Sequence, residues 1–250
     1  MRSVADDPPH AHMRMIVSTL VPSNDDPADA PNFGPVDHAY LRSISHTGRR
    51  AQAIAARAAL VDALQIRFPD ELVHVHPWLI ERSHFGAPTL RRPEPGPPPR
   101  EPLHISLAHC DTLAVAALSN RRCGIDVEPR TRNIFTAWRR LATGRELASF
   151  DHLDPVAQHE LAIRSWLLKE AWAKMCGDGL AHRAKQLSVF TDQGQWRVSA
   201  PQRVRAFIGI IGDHIIGTIT ENDDREPPNS PSTAHILWEP VPHEAEALNR

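Results

Sequence analysis

Twenty-three of the 250 residues are proline, and their clustering constrains the fold more than any other feature of the chain. Proline lacks a backbone N–H and clashes inside a helix, and in sheets it is confined to edges and bulges. Segments 22–35 (PSNDDPADAPNFGP), 93–102 (PEPGPPPREP) and 221–233 (ENDDREPPNSPST) therefore read as loops or extended connectors. Regular structure must lie between them.

Before the first cluster, 14–21 (RMIVSTLV) suits a buried strand by its β-branched content. Residues 46–65 are alanine-rich without an interior breaker, which predicts a helix. Ala51, Ile54, Ala55, Ala58 and Val61 would form its apolar stripe, with Arg50 and Arg57 together on one side. Strands are expected at 103–108, 112–119 and 123–128. Helical text then runs from Asn133 to Gly177, broken near Gly144 and Pro155. Asp154 and Pro155 suit the start of its last helix, and Gly177 its end. Strands follow at 186–190, 195–200, 203–211 and 214–220, with Asp192-Gln193-Gly194 as a hairpin turn and 235–241 as a further strand. The order strand, helix, strands occurs twice. It predicts an α+β protein with an N-terminal half at 13–120 and a C-terminal half at 121–241, flanked by a disordered lead (1–12) and a tail (242–250).

Charge is nearly balanced, 28 basic against 30 acidic residues, which argues against a protein that coats nucleic acid. No apolar run reaches the ~20 residues of a membrane span. Cys110, Cys123 and Cys176 are widely spaced and odd in number, so neither a disulfide framework nor a thiolate zinc site is expected, and a reducing, cytoplasmic setting fits. His10-Ala11-His12 and His74-Val75-His76 lack a third ligand, and neither a P-loop nor a hydrolase elbow occurs.

Two segments carry chemistry. In Gly124-Ile125-Asp126-Val127-Glu128, strand alternation puts Asp126 and Glu128 on one face and Ile125 and Val127 on the other. Two neighbouring carboxylates repel unless a cation lies between them. In the stretch Trp166 to Lys174 (WLLKEAWAK), Trp166, Glu170 and Lys174 are spaced by four and share a helix face. The plain alternatives are a solvated strand edge and a surface Glu170–Lys174 ion pair. The functional alternative joins the segments into three carboxylates and a lysine, a donor set that suits Mg²⁺.

The two segments, in this order and at this spacing, resemble the 4′-phosphopantetheinyl transferases of the surfactin-synthetase-activating type. These carry G-I-D-x-E on a strand and W-x-x-K-E-A-x-x-K on a helix some forty residues later. Gly177-Asp178-Gly179-Leu180 is similar to the family's G-x-G-L. The resemblance is clear over 103–220. His109 stands where the family has a histidine between two serines, here Ala108 and Cys110; Gly86-Ala87-Pro88 resembles G-K-P with alanine for the lysine; Arg50 and Arg57 resemble arginines of the first helix.

The resemblance implies two similar halves related by a pseudo-two-fold axis, and a monomer of holo-[acyl-carrier-protein] synthase type. Such enzymes move the phosphopantetheine arm of coenzyme A onto a serine of an acyl or peptidyl carrier protein and release 3′,5′-ADP. They serve fatty acid, polyketide or non-ribosomal peptide biosynthesis. It further implies Asp126, Glu128 and Glu170 as Mg²⁺ ligands, Glu170 as general base and Lys174 at the leaving phosphate. His109, Arg50 and Arg57 are implied at the adenosine and 3′-phosphate end. Two other readings compete: a catalytically silent protein of the same fold that binds coenzyme A or a carrier, and a Mg²⁺-dependent phosphohydrolase acting on nucleotides.

Overall fold

A computed structural model describes residues 13–20, 25–68, 78–92, 102–222 and 233–238. Residues 93–101 of the proline-rich connector, both histidine pairs, the lead and the tail lie outside these residues. The fold is α+β. A three-stranded antiparallel sheet has the order β1–β5–β4, formed by β1 (Met13–Leu20), β4 (His104–His109) and β5 (Leu113–Ser119). The strands β2 (Leu79–Arg82) and β3 (Pro88–Arg91) form a separate hairpin.

The larger sheet has six strands in the order β6–β10–β9–β11–β8–β7. Its members are β6 (Cys123–Pro129), β7 (Ser188–Asp192), β8 (Gln195–Ser199), β9 (Val204–Ile211), β10 (His214–Glu221) and β11 (Thr233–Trp238). Pairing is antiparallel except between β9 and β11. The expected β7–β8 turn is present: Gln193 and Gly194 both take positive φ, as a tight two-residue hairpin loop requires.

Two long helices cover the sheets. Helix α2 (Thr47–Arg67), preceded by α1 (Pro35–Ser43), packs on the three-stranded sheet. Its expected stripe is too narrow. Ala53, Ala56, Ala59, Leu60, Ala63 and Leu64 are at least as buried as Ala51 and Ile54, whereas Ala58 and Val61 are only partly covered. Alanines allow close approach on several faces at once, so periodicity alone understates the burial. After α3 (Phe135–Leu141) and α4 (Gly144–Phe150), helix α5 (Pro155–Cys176) lies across β6 and β10, and α6 (Leu180–Arg183) follows it.

The ends of α5 are set as its sequence predicts. Asp154 caps the first turn by accepting from the N–H groups of Val156 (2.9 Å) and Ala157 (3.0 Å), and Gly177 ends it at φ +83°. The two sheets meet at β4 and β6, where the Ile125 N–H donates to the Ser106 hydroxyl (3.1 Å). Among the described residues no helix is long and apolar enough to cross a membrane.

Candidate metal and phosphate site

The site begins with a close approach of backbone to backbone. A Cβ at Gly124 would lie 1.8 Å from the carbonyl oxygen of Ala171 and 2.9 Å from the nitrogen of Met175. Only glycine lets β6 run this near α5. Gly217 on the next strand does the same beneath Leu167. With the helix seated there, strand alternation sorts the rest of β6. Ile125 and Val127 join an apolar cluster with Leu113, Val115 and Ile216. Gly124, Asp126 and Glu128 face α5.

The Trp166–Glu170–Lys174 stripe of α5 runs along that face. The Lys174 ammonium donates to Asp126 Oδ1 (2.8 Å) and to the Ile125 carbonyl (3.0 Å). The Trp166 indole N–H donates to Glu128 Oε1 (3.2 Å). Arg132, from the turn after β6, pairs with the same oxygen. At the other end of the strand, Arg122 donates to the carbonyls of Met175 (3.0 Å) and Cys176 (3.1 Å), capping the C-terminus of α5.

This arrangement replaces both plain alternatives. Asp126 and Glu128 are 7% and 5% exposed, so they are no solvated edge. Lys174 pairs with Asp126 across the two elements instead of with Glu170 along the helix. One oxygen of each strand carboxylate, Asp126 Oδ2 and Glu128 Oε2, is buried with no hydrogen-bond partner. A buried, unmatched carboxylate oxygen is costly and calls for a cation.

Electrostatics tie in Glu170. Burial, then the nearby charge of Asp126 and that of Glu128, push its carboxyl up to about 7 against the opposing pull of Lys174. Burial also raises Glu128, with Arg132 opposing and Asp126 reinforcing. The three acids therefore feel one another. Among the described residues, however, no three histidine, cysteine, aspartate or glutamate side chains are grouped to hold a metal ion as they stand. Lys174 and Arg132 occupy one oxygen each of Asp126 and Glu128.

The N-terminal candidates fall in different places. His109 ends β4 near Lys174. Burial of the ring, with the charges of Lys174, Arg57 and Arg49, lowers it to about 4. The imidazole is therefore neutral at pH 7. Arg57 is instead buried at 3% exposure. Its Nε and Nη2 donate to the two oxygens of Asp37 (3.0 and 2.6 Å), and its Nη1 donates to the Ala53 carbonyl (3.1 Å). Arg50 is likewise engaged, with the Asp25 carboxylate and backbone and with the Ile44 carbonyl (2.9 Å). Both arginines thus tie α2 to the segments before it. Arg49, beside them and exposed, is a cation that the sequence did not single out.

A cleft of about 300 Å³ adjoins the site, with Phe85, Ala87, His104, Arg122, Lys174 and Cys176 among its walls. Lys174 is common to the cleft and the carboxylates, so an anion in the cleft meets Arg122 and Lys174 at the edge of the acidic site.

Residues 122–214 match the model of the 4′-phosphopantetheinyl transferase superfamily. That stretch holds Asp126, Glu128, Glu170 and Lys174, and leaves out Arg50, Arg57 and His109. It supports a 4′-phosphopantetheinyl transferase, a transferase class that in general uses coenzyme A and a carrier protein. No curated protein matches the chain.

Proposed function

We propose that this protein is a Mg²⁺-dependent 4′-phosphopantetheinyl transferase. It would move the phosphopantetheine arm of coenzyme A to a serine of an acyl or peptidyl carrier protein and release 3′,5′-ADP. One observation carries the reading: within the matched segment, two unpartnered buried carboxylate oxygens face a helix whose Glu170 is electrostatically coupled to both.

Asp126, Glu128 and Glu170 are the residues that would hold magnesium, and their hard oxygen donors fit it. When bound, the ion supplies positive charge against the diphosphate of coenzyme A. The chain's own groups do the rest. Glu170, a carboxyl poised near neutrality, accepts the proton of the carrier serine as its oxygen attacks the β-phosphate. The bond from that phosphorus to the bridging oxygen breaks, and the α-phosphate leaves with the adenosine. Lys174, which lines the cleft, stabilises the charge that develops there. His109 and Arg49 take the nucleotide end, in place of the inward-turned Arg57. The cytoplasm is the setting in which such a substrate pair is met, and a monomer suffices for the site as described.

The test is to incubate the full chain with apo carrier proteins, coenzyme A and Mg²⁺, and to weigh the carrier by mass spectrometry. A gain of one phosphopantetheine on the serine is the expected result. No gain with carriers from fatty acid, polyketide and peptide synthases would favour a silent binding protein. Release of inorganic phosphate from coenzyme A without any carrier would favour a phosphohydrolase.

A further inference from the structure

The carboxylates proposed to take a divalent ion already hold two cations of the chain. Lys174 belongs to the helix motif, but Arg132 belongs to neither motif. It stands four residues beyond Glu128, in the turn between β6 and α3. That turn is fixed by backbone bonds, from the Arg132 N–H to the Pro129 carbonyl (3.0 Å) and from the Arg130 N–H to the Asp213 carbonyl (2.9 Å). The side chain, half exposed, reaches back from it, and its Nη1 lies on Glu128 Oε1. The charges of Asp126 and Asp111 also act on it.

A single guanidinium answers this site only in part. Glu128 Oε1 takes both the Arg132 and the Trp166 donors, while Glu128 Oε2 and Asp126 Oδ2 have no partner. A divalent ion brings more charge and more coordination positions than Arg132 does. Because the arginine comes from a surface turn, it can swing to water, whereas Trp166 is held within α5.

We propose that Arg132 is a resident counter-ion of the carboxylate site, which a divalent cation must displace from Glu128, so that Arg132 sets the affinity of the site for that cation. The inference rests on the metal-binding reading above. Its logic is that of a site competent only when a competitor is absent: apparent affinity is the intrinsic affinity multiplied by the fraction of molecules with Arg132 withdrawn. If Arg132 merely oriented Glu128, its removal would loosen a ligand and weaken the metal. The two roles thus predict opposite signs.

Mn²⁺ is the probe, titrated into the full chain at neutral pH without coenzyme A, with free Mn²⁺ counted by electron paramagnetic resonance. Arg132→Gln is expected to bind about three- to tenfold more tightly than the unaltered chain, in keeping with a half-exposed ion pair. Arg132→Lys, which keeps the charge, should lie between them. Arg91→Gln removes a similarly exposed arginine from its pair with Glu81 and should change nothing, which controls for net charge. Unchanged or weaker binding in Arg132→Gln, with ordinary binding in the unaltered chain, overturns this inference alone. If neither protein takes up Mn²⁺, this inference and the metal-binding reading fall together.

Discussion

Glu170 and His109 are perturbed in opposite directions, and the opposition has a measurable result. Glu170 titrates near 7 in the folded chain against an ordinary 4.5, so the folded state holds that proton more tightly. Its contribution to stability is greatest below 4.5 and declines as pH rises toward 7. His109 titrates near 4 against an ordinary 6.5, so its contribution is full above 6.5 and is lost as pH falls toward 4. Between 4.5 and 6.5 the two slopes cancel. Glu170→Gln removes one and leaves the other. In urea titrations run in EDTA, the variant should lose stability on acidification from 6.5 to 4.5 more steeply than the unaltered chain; parallel curves would refute the opposed shifts. Asp126→Ala tests the neighbouring charge. It removes a proposed ligand yet leaves Lys174 its bond to the Ile125 carbonyl. Transfer should fall by at least about 100-fold, while Tm moves by no more than about 4 °C; activity assays and melting curves read both. Of these residues, Asp126, Glu128, Glu170 and Lys174 were legible because two short motifs carry them. The fates of Arg50 and Arg57 were not, because Asp25 and Asp37 pair with them only once the chain before α2 has folded back. Arg132 carries no motif at all, and only the turn after β6 brings it to Glu128.

At the scale of elements, everything at the site depends on how closely α5 lies on β6. The ends of α5 could be read from Asp154, Pro155 and Gly177, since caps are local chemistry. The glycine requirement at 124 could not, because it is made by Ala171 nearly fifty residues away. Gly124→Ala puts a methyl group against backbone that cannot turn aside. The destabilisation should be at least the upper end of the ~1–3 kcal/mol of ordinary overpacking, a fall in Tm of about 6–12 °C for a chain of this size. Differential scanning calorimetry would measure it, and a fall under about 2 °C would mean that the two backbones are not in contact. A second lock holds the far side of α5. Lys169, fully buried, pairs with Glu146 (3.0 Å) and donates to the carbonyls of Ala184 and Leu187. Glu146 in turn accepts from Ser165 (2.6 Å) and from the N–H groups of Val189 (2.9 Å) and Thr143 (2.7 Å). The helix motif thus places one residue, Lys169, in the core and the next, Glu170, in the site. Lys169→Met should cost about 3–5 kcal/mol by leaving a buried acid without its cation, and the double variant with Glu146→Leu should cost less than the two single losses added together. A double variant no better than the sum of its parts, by urea denaturation, would show that the pair is not the linked unit described.

At the scale of the molecule, the question is whether the two sheets unfold together. One long helix lies on each sheet, α2 on the smaller and α5 on the larger. How the sheets meet was not legible, because it depends on a hydroxyl of β4 reaching a backbone N–H of β6 and on small residues between them. The apolar cluster at this junction takes Ala108, Val115 and Ala117 from the smaller sheet and Ile125, Val127 and Ile216 from the larger. Ile125 is fully buried there, on the strand whose other face bears the carboxylates. Shortening it leaves a cavity that both sheets line and neither can close alone. Ile125→Ala should therefore cost about 2–5 kcal/mol, and that loss should reach both halves. Hydrogen exchange read by mass spectrometry separates the cases, since protection reports the free energy of each opening unit. If the junction couples the sheets, peptides from α2 and β5 lose as much protection as those from α5 and β10. If α5 and β10 alone lose protection, the halves are independent units, and a cleft walled by β4, β6 and α5 would not keep its shape by cooperative folding.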